Sequence, residues 1–291
     1  MAALKKILVT GSNGQLGNEL RQLENNFPQC QFLFYDRASW PIQDAAVSAA
    51  IIEKEKADFL VNAAAYTAVD KAEQEVDLAN EINGHAVGRL AALCNQSGTR
   101  FLHVSTDYVF NGSATRPLME SDMVSPLNAY GASKLLGEEL TAENNADAVI
   151  LRTSWVYSSF GNNFVKTMLR LMKEREAINV VADQVGSPTY AADLAEAILH
   201  IIGSNWQAGI YNYSNEGVIS WFEFACAIRD LAGLSCAVHP IATSQYPTPA
   251  KRPAYSVLDK SKIRYIYGLE LKPWLVSLQH CLQKLQALKA G

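Results

Sequence analysis

Residues 5–17 read KKILVTGSNGQLG, a short apolar run that leads into three glycines spaced three residues apart. This pattern predicts a strand that delivers the chain to the phosphates of a dinucleotide. Gly11 permits a tight turn, Gly14 lets the backbone approach the pyrophosphate, and Gly17 lets the following helix pack on the strand. That helix, predicted over residues 15–24, would point its positive N-terminal end at the phosphate. The alternative is a glycine-rich turn without a ligand.

The next apolar run, residues 32–35, ends at Asp36 and Arg37 and supports the dinucleotide interpretation. A carboxylate at the end of the second strand accepts a hydrogen bond from the ribose 2′-hydroxyl and repels a 2′-phosphate, whereas an arginine attracts that phosphate. The two residues together predict that the protein binds either NADH or NADPH.

Apolar runs alternate with helix-length segments through the first half of the chain. Strands are predicted over residues 7–10, 32–35, 58–62, 101–105 and 148–152. This alternation is typical of an α/β fold with a Rossmann-type, doubly wound parallel sheet. After about Thr153 the elements are shorter. We therefore predict a dinucleotide-binding domain over residues 1–153 and a smaller, mainly substrate-binding α/β part over residues 154–291, with an approximate boundary that the chain can cross back.

Further helices are predicted from apolar spacing over residues 77–96, 164–175, 191–202, 224–234 and 274–290. Ser220 and Glu223 have the spacing of a capping box ahead of the fourth of these helices. The stretch 246–253 contains three prolines, which cannot continue a helix or a central strand. It is predicted to form an ordered loop on the cleft.

Composition and charge narrow the function classes. The chain has 25 basic and 29 acidic residues, a net charge of −4 and no run of Lys or Arg longer than two, so nucleic acid is not expected as a partner. No secretory pattern and no apolar run near the ~20 residues of a membrane span is present, and we expect a cytoplasmic protein without a membrane partner. The five cysteines lack a Cys-x-x-Cys pair and the histidines lack metal-ligand spacing, so no metal site is predicted. The oligomeric state stays open, and a homodimer is compatible with the sequence.

Tyr130 and Lys134 lie four residues apart on a helix predicted to begin near Asn128. Four residues make about one helical turn, so the two side chains share a face. A nearby ammonium lowers the pKa of a tyrosine phenol, which would allow acid/base chemistry. Thr106 ends the fourth predicted strand, where ligands of open α/β sheets bind. We therefore expect Thr106 to contact the substrate oxygen that Tyr130 protonates; a surface Tyr-Lys pair is the alternative.

With the glycine loop, Thr106, Tyr130 and Lys134, the chain resembles the extended short-chain dehydrogenase/reductase family. Within it, the chain is similar to the dTDP-4-dehydrorhamnose reductases in blocks that occur in order along nearly its whole length. These blocks are residues 62–73 (NAAAYTAVDKAE), 105–110 (STDYVF), 152–157 (RTSWVY), 162–164 (NNF) and 183–189 (DQVGSPT). They are more specific than the glycine loop, because they extend into the second part of the chain.

The resemblance implies NAD(P)H-dependent reduction of the 4-keto group of dTDP-4-dehydro-L-rhamnose to dTDP-L-rhamnose, in nucleotide-sugar biosynthesis for surface polysaccharide. It implies Thr106, Tyr130 and Lys134 as catalytic residues, with Tyr130 and Lys134 also near the cofactor, and Asp107 and Trp155 as substrate contacts. The further cofactor contacts that it implies are Gly14, Gln15, Leu16, Ala64, Ala65 and Tyr66.

The sequence allows two interpretations of several positions. Arg252, beside Lys251, is a candidate to bind the substrate diphosphate, since a guanidinium can form two hydrogen bonds with a phosphate; a solvated basic pair is the alternative. Trp155 stacks on the sugar or base, or belongs to the core. Many family members have an acidic residue at the position of Pro41. The resemblance therefore does not imply a contact between this position and the adenine of the cofactor. Glu19 corresponds to a metal-linked acidic residue of the family, but we expect an exposed helix glutamate, and the sequence does not support bound Mg²⁺.

Other functions remain compatible with the same fold. The chain could be another nucleotide-sugar reductase, a 4-epimerase that keeps its cofactor bound and returns the hydride, or a non-catalytic regulatory subunit. The complete set of Thr106, Tyr130 and Lys134 argues against the regulatory subunit. Net consumption of NAD(P)H distinguishes a reductase from an epimerase.

Overall fold

A computed structural model describes residues 4–290 of the chain. The strands in this part are, in chain order, β1 Lys5–Thr10, β2 Cys30–Phe34, β3 Phe59–Asn62, β4 Arg100–Thr106, β5 Val149–Thr153, β6 Val156–Tyr157, β7 Ala177–Val181, β8 Val185–Gly186, β9 Thr189–Tyr190, β10 Gly209–Tyr213, β11 Ile219–Ser220 and β12 Ala237–Ile241. The α-helices in the same part are α1 Gln15–Leu23, α2 Ala45–Glu55, α3 Val69–Ala72, α4 Val76–Asn80, α5 Ala86–Ser97, α6 Ala129–Asn144, α7 Phe164–Glu174, α8 Ala191–Gly203, α9 Trp221–Leu231, α10 Ser261–Tyr267 and α11 Trp274–Ala290.

Six strands form one parallel sheet in the order β2-β1-β3-β4-β5-β10. The chain passes from β1 to β2 on one side and then crosses to β3 on the other side of β1. The carboxyl ends of β1 and β3 therefore border the crevice in which ligands of such sheets bind. The predicted Rossmann-type, doubly wound parallel sheet is confirmed.

The side chains of β1 alternate between two apolar cores. Ile7 and Val9 pack with residues of α1 and α8, whereas Leu8 packs on the opposite face with residues of α2 and α5. Successive strand residues point to opposite faces, so a strand that is covered on both faces is apolar throughout. This burial gives the glycine loop a rigid base.

The second part of the chain contributes to two cores. β10 pairs with β5, and α8 and α10 pack on the large sheet, so the chain returns to that sheet after residue 154. The remaining strands form three two-stranded sheets, in which β6 pairs with β9, β7 with β12, and β8 with β11. Residues of α7, α9 and α11 form a separate apolar core beside these sheets.

The predicted helix over residues 77–96 is divided in the structure. α4 ends at Asn80, a π-helical turn covers Glu81–His85, and α5 continues to Ser97. α9 begins three residues before its predicted start, because the capping box of Ser220 and Glu223 lies directly at its N-terminus. Within residues 4–290, no helix combines the length and the apolar character that a membrane crossing requires.

Candidate active site

A cavity of about 760 Å³ lies at the carboxyl ends of the central strands. Its volume is within the range of about 300–1,000 Å³ that is usual for ligand pockets. The predicted site residues that line it are Gly11, Gly14, Gln15, Leu16, Arg37, Ala64, Ala65, Tyr66, Thr106, Asp107, Tyr130, Lys134 and Trp155. Gly17, Asp36 and Arg252 were also predicted for the site and do not line this cavity.

The glycine loop has a geometry that fits a pyrophosphate. Gly11 has a φ of +66°, and a Cβ atom there would lie 2.7 Å from the main chain that follows β3. A Cβ atom at Gly17 would lie 2.5 Å from Ser12 Cα, so Gly17 allows α1 to pack against the loop. Gly14 is the N-cap of α1, and no side chain caps the helix there. The first N–H groups of α1 are therefore available to an anion such as the pyrophosphate of a nicotinamide dinucleotide.

Thr106, Tyr130 and Lys134 come together on one wall of the cavity. Thr106 ends β4, and Tyr130 and Lys134 share a face of α6. The side chain of Asn128 caps this helix by accepting a hydrogen bond from its first turn at 2.7 Å. Lys134 is only 1% exposed and donates a hydrogen bond to the main-chain oxygen of Val104 at 2.7 Å. The cap and the strand thus determine where the Tyr-Lys pair lies.

Burial raises the pKa of Tyr130 to about 12; the Asp107 carboxylate also raises it, whereas hydrogen bonding with Thr106 lowers it. The expectation that Lys134 lowers this pKa is wrong for the protein by itself. The Lys134 ammonium instead faces the Val104 oxygen and the His103 ring. Burial also lowers the pKa of Lys134 to about 8. A phenol with a raised pKa keeps its proton at neutral pH, as a proton donor must.

Asp107 has a carboxylate oxygen without a regular hydrogen bond beside the cavity. Its Oδ1 accepts a hydrogen bond from Thr106 Oγ1 at 3.1 Å, while its Oδ2 has no hydrogen bond of regular geometry among the described residues; the nearby Ser256 hydroxyl interacts with the carboxyl group and lowers its pKa. The residue is 2% exposed, and burial raises the pKa of its carboxyl group to about 7. Because an unpaired buried acceptor is costly, Oδ2 is suited to accept a hydrogen bond from a ligand hydroxyl.

Trp155 and Trp221 form a stacked pair that also lines the cavity. Their ring centroids are 3.6 Å apart and their planes differ by 11°. Trp155 has a φ of +48°, which is unusual for a bulky residue. Gly186 leaves space for its ring, since a Cβ atom there would lie 2.7 Å from it. Trp155 thus lies at the cavity, as the resemblance implies. The sequence analysis missed Trp221, although the capping box at Ser220 marks it as the first residue of a helix.

Asn83, on the π-helical turn, is a second residue that the sequence analysis missed. Its Nδ2 donates to the Tyr66 carbonyl at 2.9 Å, and its Oδ1 accepts from the Tyr66 N–H at 2.8 Å. The same Nδ2 lies 3.0 Å from Ser133 Oγ on α6. Asn83 therefore connects the loop after β3 to the helix that carries Tyr130. No sequence pattern marks this residue, because the π-helical turn that carries it is evident only in the structure.

Asp36 stabilises the turn after β2. Its Oδ1 accepts hydrogen bonds from the N–H and the hydroxyl of Ser39 at 2.9 and 2.8 Å, and its Oδ2 accepts one from Asn13 Nδ2 at 2.9 Å. Arg37 and Asn13 line the cavity, whereas Asp36 does not. The arginine therefore faces the cavity and the carboxylate does not. Beyond this turn, Ile42 lines the cavity beside Pro41.

Arg252 is neither a solvated cation nor a cavity-lining residue. Its two terminal nitrogens donate to the two carboxylate oxygens of Asp70 at 3.0 and 2.9 Å, and one of them also donates to Thr248 Oγ1 at 2.6 Å. The neighbouring Lys251 is exposed. The two residues of this basic pair thus have different environments.

Glu19 is buried, so the expectation of an exposed helix glutamate is wrong. It is 1% exposed, and its two oxygens accept hydrogen bonds from Ser158 Oγ at 2.6 Å and from Lys284 Nζ at 2.7 Å. The cause is tertiary, because α11 and the segment after β6 cover this face of α1. Among residues 4–290, no three His, Cys, Asp or Glu side chains converge as a metal site.

The chain is similar to known proteins over nearly its whole length. Residues 5–287 match the family described as RmlD substrate binding domain. The chain is 43% identical to a dTDP-4-dehydrorhamnose reductase of Burkholderia thailandensis over 296 residues, which cover 96% of this chain and 99% of that protein. The structure of a dTDP-4-dehydrorhamnose reductase from Clostridium acetobutylicum matches with a TM-score of 0.93 and 39% identity, covering 97% of this chain and 99% of the other.

A second solved structure was determined with a cofactor. It is the dTDP-4-dehydrorhamnose reductase of Bacillus anthracis in complex with NADP, with a TM-score of 0.93, 38% identity and coverage of 97% of this chain and 99% of the other. The fold and these full-length matches agree, and the chain belongs to the dTDP-4-dehydrorhamnose reductase (RmlD) family of extended short-chain dehydrogenases/reductases.

Proposed function

We propose that the chain reduces the 4-keto group of dTDP-4-dehydro-L-rhamnose to give dTDP-L-rhamnose, with NADPH or NADH as the hydride donor. The main support is that Thr106, Tyr130 and Lys134 line the same cavity as the glycine loop. Relatives of full length carry the name of this reductase, and the structure of one of them contains NADP. The product would serve in nucleotide-sugar biosynthesis for surface polysaccharide.

Four side chains of the protein would act around C4 of the sugar, the carbon that is reduced. When bound, the reduced nicotinamide supplies a hydride to C4 of the sugar. Tyr130 donates its phenolic proton to the C4 oxygen while negative charge develops there, and the Thr106 hydroxyl turns from Asp107 Oδ1 to donate a hydrogen bond to the same oxygen. In the protein by itself Lys134 faces Val104 and His103; with cofactor bound, its remaining N–H would hold a ribose hydroxyl and lie near the Tyr130 oxygen, where the ammonium would favour the phenolate. Asp107 Oδ2 accepts a hydrogen bond from a sugar hydroxyl.

The remaining lining residues would bind the two nucleotides. The pyrophosphate of the cofactor would lie on the N-terminus of α1, with Arg37 available to a 2′-phosphate. Trp155 and Trp221 would provide a flat apolar surface for the sugar or base of the substrate. The residues assigned to the cofactor are Gly11, Gly14, Gln15, Leu16, Gly17, Asp36, Arg37, Ala64, Ala65 and Tyr66, together with Tyr130 and Lys134.

The decisive experiment is an assay of NADPH and NADH oxidation with a panel of nucleotide 4-keto sugars. The proposal requires one mole of cofactor oxidised per mole of dTDP-L-rhamnose formed. Preference for a different keto sugar would indicate another nucleotide-sugar reductase, and interconversion of sugars without net oxidation would indicate a 4-epimerase. No turnover with any sugar would favour the regulatory subunit.

In the structure Arg252 is paired with Asp70 and does not line the cavity, so to bind the substrate diphosphate it must exchange this partner. If it does so, replacing Arg252 by Ala should raise the KM for the dTDP-sugar by roughly 10- to 100-fold, the effect of losing a charge-assisted phosphate contact. The kcat should stay within about 3-fold of wild type, because a contact remote from C4 contributes similarly to ground-state and transition-state binding. Steady-state kinetics measure both. Lys251→Ala, which removes the adjacent exposed cation, is the matched control. An unchanged KM in Arg252→Ala would exclude Arg252 from the substrate site.

Replacing Asp36 by Asn should shift cofactor preference towards NADPH by roughly 5- to 10-fold, as expected for the loss of one charge at close range. The asparagine oxygen can still accept from Ser39, and the Asn13 amide can turn its oxygen towards the new NH2 group, so the turn after β2 is retained. The measurement is the ratio of kcat/KM for NADPH to that for NADH. A shift towards NADH would remove Asp36 from the cofactor site.

The proposal also covers the division of the chain into two parts, its oligomeric state and its location in the cell. We infer that residues 1–153 mainly bind the dinucleotide and residues 154–291 mainly the substrate, with α8 and β10 returning to the large sheet. We also propose a homodimer, which light scattering of the purified protein would test. A cytoplasmic location is supported by the five cysteines, which are all unpaired and all lie within the described residues.

A further inference from the structure

A buried row of four polar side chains crosses the sheet beneath the cavity and ends at Lys134. Thr10, Asn62 and His103 lie in register on the neighbouring strands β1, β3 and β4. Thr10 Oγ1 donates to Asn62 Oδ1 at 2.6 Å, Asn62 Nδ2 lies 3.0 Å from His103 Nδ1, and His103 Nε2 lies 3.2 Å from Lys134 Nζ. The first three side chains are fully buried, and Lys134 is 1% exposed. None of the first three has a role in the mechanism above.

The hydrogen bonds along this row offset the cost of burying its polar groups, since an unpaired polar group at the centre of a sheet would destabilise the fold. His103 is the only side chain within the described residues that is hydrogen-bonded to Lys134 Nζ; the other partner is the Val104 carbonyl. The Glu138 carboxylate, one turn further along α6, is held by Arg152 instead. An ammonium has three N–H groups, so these two partners leave one N–H for the cofactor and Tyr130.

On the basis of the function proposed above, we propose that His103 is a positioning residue that holds Lys134 in its working place in both protonation states. With its proton on Nδ1, the ring accepts a hydrogen bond from the Lys134 ammonium at Nε2. With its proton on Nε2, it donates to the neutral amine. In the orientation seen, Asn62 Nδ2 faces Nδ1 and matches the tautomer with its proton on Nε2. After a half-turn the Asn62 oxygen faces Nδ1 and matches the other tautomer, while the Thr10 hydroxyl then accepts from Asn62 Nδ2 in place of donating to Oδ1.

The surroundings of His103 support this role. Burial, and then the charge of Lys134, hold the pKa of His103 well below its ordinary value. The ring therefore stays neutral and does not compete with Lys134 for a proton. The ring also stacks on Phe101, with centroids 6.2 Å apart and planes differing by 13°, so its orientation is restricted. A neutral ring of fixed orientation has the properties that positioning a lysine requires.

Two substitutions of His103 by an amide residue test the contacts of its two ring nitrogens separately. In His103→Gln the amide reaches the place of Nε2 and can offer Lys134 either an acceptor or a donor. In His103→Asn the amide reaches only the place of Nδ1, so the contact with Asn62 is kept and the contact with Lys134 is lost. The measurements are kcat, the KM for the keto sugar, the Kd for NADPH and the melting temperature of each full-length variant.

His103→Asn should lower kcat by about 100-fold, because Lys134 would be displaced from its place near the reacting atoms. The same displacement should raise the Kd for NADPH by roughly 10-fold. His103→Gln should keep kcat within about 10-fold of wild type, and the KM for the keto sugar should change by less than about 3-fold in both variants. Equal losses in the two folded variants, or wild-type kcat and Kd in His103→Asn, would overturn the proposal.

If neither variant folds, ¹⁵N NMR of the histidine rings decides the question. In Lys134→Met the loss of the lysine partner should move the Nε2 signal of His103, and the Nδ1 signal moves with it if the ring changes tautomer; an unchanged Nε2 signal would overturn the proposal. Failure of the proposed function would be recognised separately, because wild-type protein would then bind NADPH without reducing the keto sugar. The Kd for NADPH still tests His103 in that case.

Discussion

Tyr130→Phe should reduce kcat roughly 100- to 10,000-fold, the range expected for loss of a general acid. The substitution keeps the ring, which contacts Tyr108 edge to face with centroids 5.8 Å apart, and removes only the hydroxyl. The melting temperature and the Kd for NADPH should therefore change little. Because the phenol has a pKa of about 12, the wild-type group is protonated at neutral pH and can give its proton to the C4 oxygen.

Stopped-flow or steady-state measurement of NADPH oxidation, with the keto sugar saturating, gives the comparison. Tyr265→Phe is the matched control, since it removes the same hydroxyl from a side chain that is 88% exposed. A folded Tyr130→Phe variant that binds NADPH and reduces the keto sugar at the wild-type rate would show that Tyr130 is not the acid, and the mechanism would be rejected.

Arg152→Met should lower the free energy of unfolding by about 3–5 kcal/mol, because it leaves a buried carboxylate without its cation. The side chains of Arg152 and Glu138 are each 3% exposed. Arg152 Nε and a terminal nitrogen donate to Glu138 at 3.0 and 2.6 Å, and the other terminal nitrogen donates to the Glu120 carbonyl at 3.2 Å. The pair joins β5 to α6, the helix that carries Tyr130 and Lys134, so kcat should fall in proportion to the loss of native protein.

Urea unfolding followed by circular dichroism measures the effect. Arg170→Met is the control, because the Arg170-Glu174 pair has side chains 60% and 52% exposed and should contribute only about 0.3–0.5 kcal/mol. Adding Glu138→Leu to Arg152→Met should restore much of the loss, since no charge then remains buried. If the free energy of unfolding of Arg152→Met lies within about 1 kcal/mol of the wild-type value, the prediction is wrong, and the Arg152-Glu138 pair does not stabilise the contact between β5 and α6.

Features that depend on near neighbours in the chain could be predicted from the sequence. The glycine loop is an example, because the need for glycine at Gly11 and Gly17 arises from a turn and from the adjacent helix. The shared face of Tyr130 and Lys134 follows from helical periodicity alone. The order of apolar strands and amphipathic helices likewise indicated the doubly wound sheet, since each element must bury one face or both.

The tertiary structure alone decided which distant side chains meet and in what state they are held. Trp221 reaches Trp155, and Glu19 is buried against Lys284, which is 265 residues away in sequence. His103 faces Lys134 because of strand register, and burial, not a neighbouring ammonium, sets the pKa of Tyr130. Periodicity specifies which face of an element is covered, but it does not specify which residue of a remote segment covers it. That choice, and the desolvation that follows from it, depends on the packing of the whole chain.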